Sequence, residues 1–143
     1  MQRRTVLFLL AVLASQTAVA AGRLEIRGAW IRTAPPGAMM LAGYATLHNG
    51  GDAPLTVIGA GSEAFGDVSL HESVEVDGVA RMKALSEVEI PPGASVVFAP
   101  GGKHLMLMRP KGEVKAGESI KIRIETKSGE GASADFVVRD AAP

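Results

Sequence analysis

Clusters of Gly, Pro and Asn/Asp punctuate this chain at short intervals. Between them no window of a dozen residues holds a helical 3.6-residue period. The punctuation stands at Ala34-Pro35-Pro36-Gly37, Asn49-Gly50-Gly51-Asp52, Asp77-Gly78, Pro91-Pro92-Gly93, Pro100-Gly101-Gly102 and Lys115-Ala116-Gly117-Glu118. Each is turn chemistry. The intervening runs are short and rich in Val, Ile and Thr, which predicts strands. They fall near Leu24–Arg32, Gly43–His48, Leu55–Ile58, Val68–Val76, Val79–Leu85, Ser95–Ala99, His104–Met108, Ser119–Glu125 and Ala134–Arg139. About nine short strands at such spacing predict an all-β domain, an antiparallel sandwich or barrel.

The first twenty residues follow a different logic. Arg3 and Arg4 precede an apolar run from Val6 to Ala14, which leads to Ala18-Val19-Ala20. A positive start, a short apolar stretch and a small-residue cleavage site make a secretory signal peptide over 1–20, cut near Ala20. Nine apolar residues are about half of a bilayer span, so no membrane anchor is expected after cleavage. The remaining domain, 21–143, is expected in the periplasm.

The full chain of 143 residues has 15 Lys and Arg against 15 Asp and Glu. That balance argues against a nucleic-acid partner, which calls for a basic surplus. There is no Cys. This excludes disulfides, iron–sulfur clusters, thiol nucleophiles and any Cys-ligated zinc or blue-copper site. In an oxidising compartment, a soft-metal site is easier to keep working with thioether and imidazole than with thiolate.

Met and His placement therefore carries the argument. In His104-Leu105-Met106-Leu107-Met108, strand alternation puts His104, Met106 and Met108 on one face and both Leu on the other. Val76-Asp77-Gly78-Val79 predicts a two-residue type I′ hairpin, which fixes a register. His71 then faces Ala84, Ser73 faces Met82, and Met82 shares a face with His71 as its diagonal neighbour. A slip of one residue would separate them. The opposite face, with Leu70, Val74, Val76, Val79 and Leu85, reads as the more buried one, with Glu72 facing Lys83.

Two thioethers and two imidazoles make a neutral, soft donor set. It suits copper(I), disfavours magnesium and calcium, and lacks the carboxylate or thiolate that zinc ordinarily recruits. No open position for activating water and no Ser/His/Asp arrangement emerges, so no enzyme activity is expected.

The spacing from His71 to Met106 is H-x10-M-x21-H-x-M. It resembles the motif of the periplasmic copper(I) chaperones called PCuA(C), or DUF461. The resemblance extends through Ala29-Trp30-Ile31-Arg32, Pro35-Pro36, Ala42-Gly43-Tyr44, Asn49, Ile90-Pro91-Pro92-Gly93 and the run from Pro100 to Met108. It implies a cupredoxin-like sandwich that binds Cu(I) through His71, Met82, His104 and Met106. It also implies delivery to the CuA centre in cytochrome c oxidase subunit II, alongside a Sco-type protein. Periplasmic copper sequestration or resistance is the alternative with the same site.

The chain departs from the family where many members carry further Met beside the first His or the hairpin Met: here stand Glu72-Ser73 and Val79-Ala80. An auxiliary sulfur must come from Met39, Met40 or Met108. His48 reads as a surface residue, Trp30 as core, and Glu72 as a partner of Lys83 or a support for His71.

Overall fold

A computed structural model describes residues 22–143. The signal peptide read at 1–20 lies outside the described residues. Ten strands follow one another: β1 Leu24–Arg32, β2 Met40–Asn49, β3 Leu55–Gly61, β4 Phe65–Val76, β5 Val79–Ala84, β6 Val88–Ile90, β7 Ser95–Phe98, β8 Lys103–Pro110, β9 Ser119–Thr126 and β10 Ala132–Arg139. The all-β expectation holds. Among the described residues no helix is long and apolar enough to cross a membrane.

The additional strand is β6. Its three residues are too few to show alternation, and Pro91-Pro92 follow it directly. It exists because Leu55, Thr56 and Val57 of β3 give it a partner, a non-local cause that local sequence does not display.

The strands form one sheet in the order β5-β4-β8-β7-β2-β1-β10-β9-β3-β6. Most neighbours are antiparallel, as expected, but β1 with β10 and β7 with β8 run parallel. On the edge away from β1, strand β2 serves two partners: Met40–Gly43 pair with β8, and Ala45–His48 pair with β7. Side chains from both halves of the sheet, including Leu70, Leu105 and Leu107 from one and Val57, Ile90, Ile122 and Ile124 from the other, share one buried cluster. The sheet is thus folded on itself around a single core.

Strands β4, β8 and β2 bury Val68, Leu70, Leu105, Leu107 and Leu41 in that core. Alternation then turns Ser69, His71, His104, Met106 and Ala42 to the other face. For His71, His104 and Met106, the buried neighbours Leu70, Leu105 and Leu107 are what hold the ligand on that face.

One polar residue sits deep in this framework. Asn49, fully buried, donates from Nδ2 to the carbonyls of Ala53 and Ile90, at 2.7 and 3.0 Å. Its Oδ1 accepts from the N–H groups of Arg23 and Gly51, at 3.3 and 3.0 Å. It ties β1, β6 and the 50–54 loop to the end of β2.

Candidate metal centre

The turn that sets the site has the geometry its sequence asks for. Asp77 and Gly78 both take positive φ, 53° and 75°, as a type I′ turn needs. The resulting register opposes Val76 to Val79, Ser73 to Met82 and His71 to Ala84. On its other side β4 pairs with β8, which opposes His71 to His104 and Ser69 to Met106. On the far side of β8, Ala42 of β2 opposes Met106 and Met40 opposes Met108. One sheet face therefore carries Met82, His71, His104, Met106 and Met40.

His104, Met106, Met82 and Met40 line a cavity of about 220 Å³, with Arg32 and Ala42 among its walls. His71 is not part of that lining. Its ring instead faces that of His104, with centroids 6.0 Å apart and planes 28° from parallel. The chain thus brings three of the four predicted residues to one cavity and sets the fourth beside it.

Burial grades these donors. His104 and Met106 are 5% and 9% exposed, whereas Met82 and Met40 are 62% and 50% exposed. The cavity therefore has a sealed side and an open side.

The imidazoles carry the sharpest information. His104 Nδ1 lies 3.1 Å from the Gly102 carbonyl. A carbonyl only accepts, so Nδ1 bears the proton and Nε2 of the neutral ring holds the lone pair. His71 Nε2 lies 3.1 Å from Ser69 Oγ. The remaining nitrogens, His71 Nδ1 and His104 Nε2, are shielded from solvent and have no hydrogen-bond partner. A buried polar atom left unpaired costs about 1–3 kcal/mol, so the two on facing rings are lone-pair positions that a bound group would relieve. Ser69 and the Gly102 carbonyl fix the ring orientations, as outer-shell partners of metal-ligating His do. Both escaped the sequence reading, although strand alternation places Ser69 on the face of His71.

Burial, and then repulsion from His104, hold the His71 pKa below the ordinary imidazole value of 6.5; the Asp67 carboxylate opposes this. The unfolded chain consequently binds more protons than the folded one between those values, and stability rises with pH there. The contribution is complete above 6.5 and is lost as pH falls through the lowered value. We expect the urea midpoint of the metal-free protein to drop between pH 7.5 and pH 5, and His71→Gln to flatten that slope. An equal slope in both proteins would remove His71 as its source.

Among the described residues no three His, Asp or Glu side chains converge. The further donor side chains on this cavity are the thioethers of Met40, Met82 and Met106.

Two expectations change. Glu72 pairs with Lys103, Nζ to Oε1 2.9 Å, rather than with Lys83; Lys103 opposes it on β8, whereas Lys83 stands on the wholly exposed β5. Val76 and Val79 are exposed, not buried. The β4–β8 ladder ends at Glu72–Lys103, so the hairpin tip extends past the core. Trp30 is buried as expected and packs at a tilt of 38° against Tyr44, centroids 4.7 Å apart, outside the main cluster. Alternation puts Tyr44 on the same face as Ala42, so this pair forms aromatic ground beside the site. His48 bonds Ser95 at 2.8 Å toward the other end of β2.

A model of the family described as "Putative lipoprotein LpqE-like" matches residues 24–138. The chain belongs to this LpqE-like family. A relative from Leifsonia xyli subsp. xyli, "Putative lipoprotein Lxx21020", is 33% identical over 118 residues, which are 82% of this chain and 70% of that one. Among solved structures, the Cu(I) form of DR1885 from Deinococcus radiodurans shares 28% identity at a TM-score of 0.67, covering 89% of this chain and 86% of that chain. A copper-bound PCuAC domain from PmoF2 matches at a TM-score of 0.67 and 23% identity, covering 85% and 95%. The fold of this LpqE-like chain is that of PCuAC domains.

Proposed function

We propose that this LpqE-like protein is an exported copper(I) carrier that holds one Cu(I) as cargo with His71, Met82, His104 and Met106 and passes it to a cuproprotein. The observation that carries this is the pair of orphaned nitrogens, His71 Nδ1 and His104 Nε2, on facing rings beside a cavity lined by Met82 and Met106. Two neutral imidazoles and two thioethers match the preference of copper(I) for soft donors. The structural relative DR1885 was solved with Cu(I), and the family's lipoprotein description accords with export to the periplasm.

No catalytic step is assigned. The acceptor in this reading is the CuA site of cytochrome c oxidase subunit II, with a Sco-type protein as a companion. Transfer follows from the donor set: each thioether is a neutral, replaceable ligand, so an acceptor can enter as a sulfur leaves and no free ion is released.

Anaerobic titration of Cu(I) against a colorimetric chelator tests the reading. One equivalent should resist the chelator in the wild type, and Met82→Ala should weaken retention about tenfold or more. A wild type that cannot compete, or a variant that binds equally well, overturns it.

A further inference from the structure

The proposed ligand set leaves one sulfur of the cavity without a task. Met40 lines the same 220 Å³ cavity as Met82, His104 and Met106. It does so from the opposite side of the sheet order, on β2, whereas Met82 comes from the edge strand β5. Met40 and Met82 are the two half-open sulfurs, and His104 and Met106 are the two sealed donors.

Met40 is also held in place. It pairs with Met108 in the β2–β8 ladder, and the carbonyl of its neighbour Met39 accepts from Arg109 N at 2.8 Å. The preceding loop closes on itself through Ala38 N to Pro35 O at 3.1 Å. Met39, by contrast, is 61% exposed and lines a different cavity, beside Pro35 and Pro36. Of the two adjacent thioethers, only one is presented to the site.

We propose that Met40 is the exchange ligand of the site: it receives Cu(I) during loading and unloading, and the resting complex does not use it. The inference rests on the copper(I) reading above. As Met82 sulfur leaves the ion, Met40 sulfur donates a lone pair to it. One Cu–S bond breaks and one forms, the copper stays Cu(I), and no proton moves. The sealed His104 and Met106 keep hold throughout, and the partner's ligand then displaces Met40 from the open side.

A ligand present on the path but absent from the end state changes forward and reverse rates by the same factor and leaves the equilibrium alone. Met40→Leu keeps the volume and removes the sulfur, so it isolates this effect. Stopped-flow mixing under anaerobic conditions should show both Cu(I) uptake from a weak chelator and release to a strong one slowed about tenfold, or about 1.4 kcal/mol in each barrier. The equilibrium dissociation constant should stay within about twofold of wild type, under 0.5 kcal/mol. Met39→Leu should move neither rate.

Unchanged rates in Met40→Leu overturn the inference. So does a weakened equilibrium affinity with uptake intact, which makes Met40 a resident ligand. Equal slowing in Met39→Leu also overturns it, because the effect then belongs to the loop. A wild type that holds no Cu(I) overturns the function reading and this inference together. Normal wild-type binding with an unaffected Met40→Leu overturns this inference alone.

Discussion

His104→Leu should lower Cu(I) affinity by about 100-fold or more, because removing a direct ligand costs at least what removing an outer-shell partner does. The same substitution should leave the metal-free fold as stable as before, or firmer. His104 is 5% exposed and its Nε2 has no partner, so Leu fills the volume and ends the penalty of an orphaned nitrogen. Its Nδ1 bonds the Gly102 carbonyl, but that carbonyl also accepts from Ser73 N at 3.0 Å and is not stranded by the change. Copper retention and urea midpoint must therefore move independently. A fall in stability of several kcal/mol alongside the affinity loss would mean that His104 is part of the scaffold.

Asn49→Leu should show the opposite pattern. The side chain meets four backbone groups, at Ala53, Ile90, Arg23 and Gly51. Its own N–H and carbonyl engage Ala94 and Gly93 at 2.9 and 2.8 Å. Leu leaves several buried polar groups unpaired, which at about 1 kcal/mol or more each sums to about 3 kcal/mol lost. Against a total of about 5–15 kcal/mol for a domain of this size, that is severe. Equilibrium urea unfolding reads it directly, and a loss below about 1 kcal/mol would show that water replaces the amide. Surviving folded protein should still hold copper, since Asn49 lies at the far end of β2 from Met40.

These two residues show how unevenly the sequence discloses its structure. The hairpin register was legible because Asp77 and Gly78 satisfy a turn that demands positive φ twice, and the pairing of the next six residues follows from it. The shared face of His104 and Met106 was legible because strand alternation is a local rule. The apposition of His71 to His104 was not, since it depends on β4 finding β8 across more than thirty residues of chain. Glu72 illustrates the same limit: two Lys oppose it, on β5 and on β8, and only the tertiary pairing selects Lys103. Asn49 reads locally as a turn residue, and its role as a hub for β6 becomes visible only once that strand is placed.

The hairpin tip was misjudged for a related reason. Val76 and Val79 have the composition of buried strand residues, but burial requires a facing layer and the sheet offers none there. Alternation tells which residues share a face and says nothing of how far the body of the protein extends beneath it.

Strand β5 stands at one end of the sheet, bonded to β4 alone and exposed at every residue. Elements so placed open and close locally at little cost, well before the core does. Met82 rides on this strand, while His104 and Met106 belong to the buried β8. In the copper(I) reading proposed above, an ion held by both would span β4 and act as a removable rivet between the margin of the sheet and its interior. The metal-free form would then have a pliable border and the loaded form a stiff one. Occupancy of the site would then be legible at the surface, as rigidity along β5.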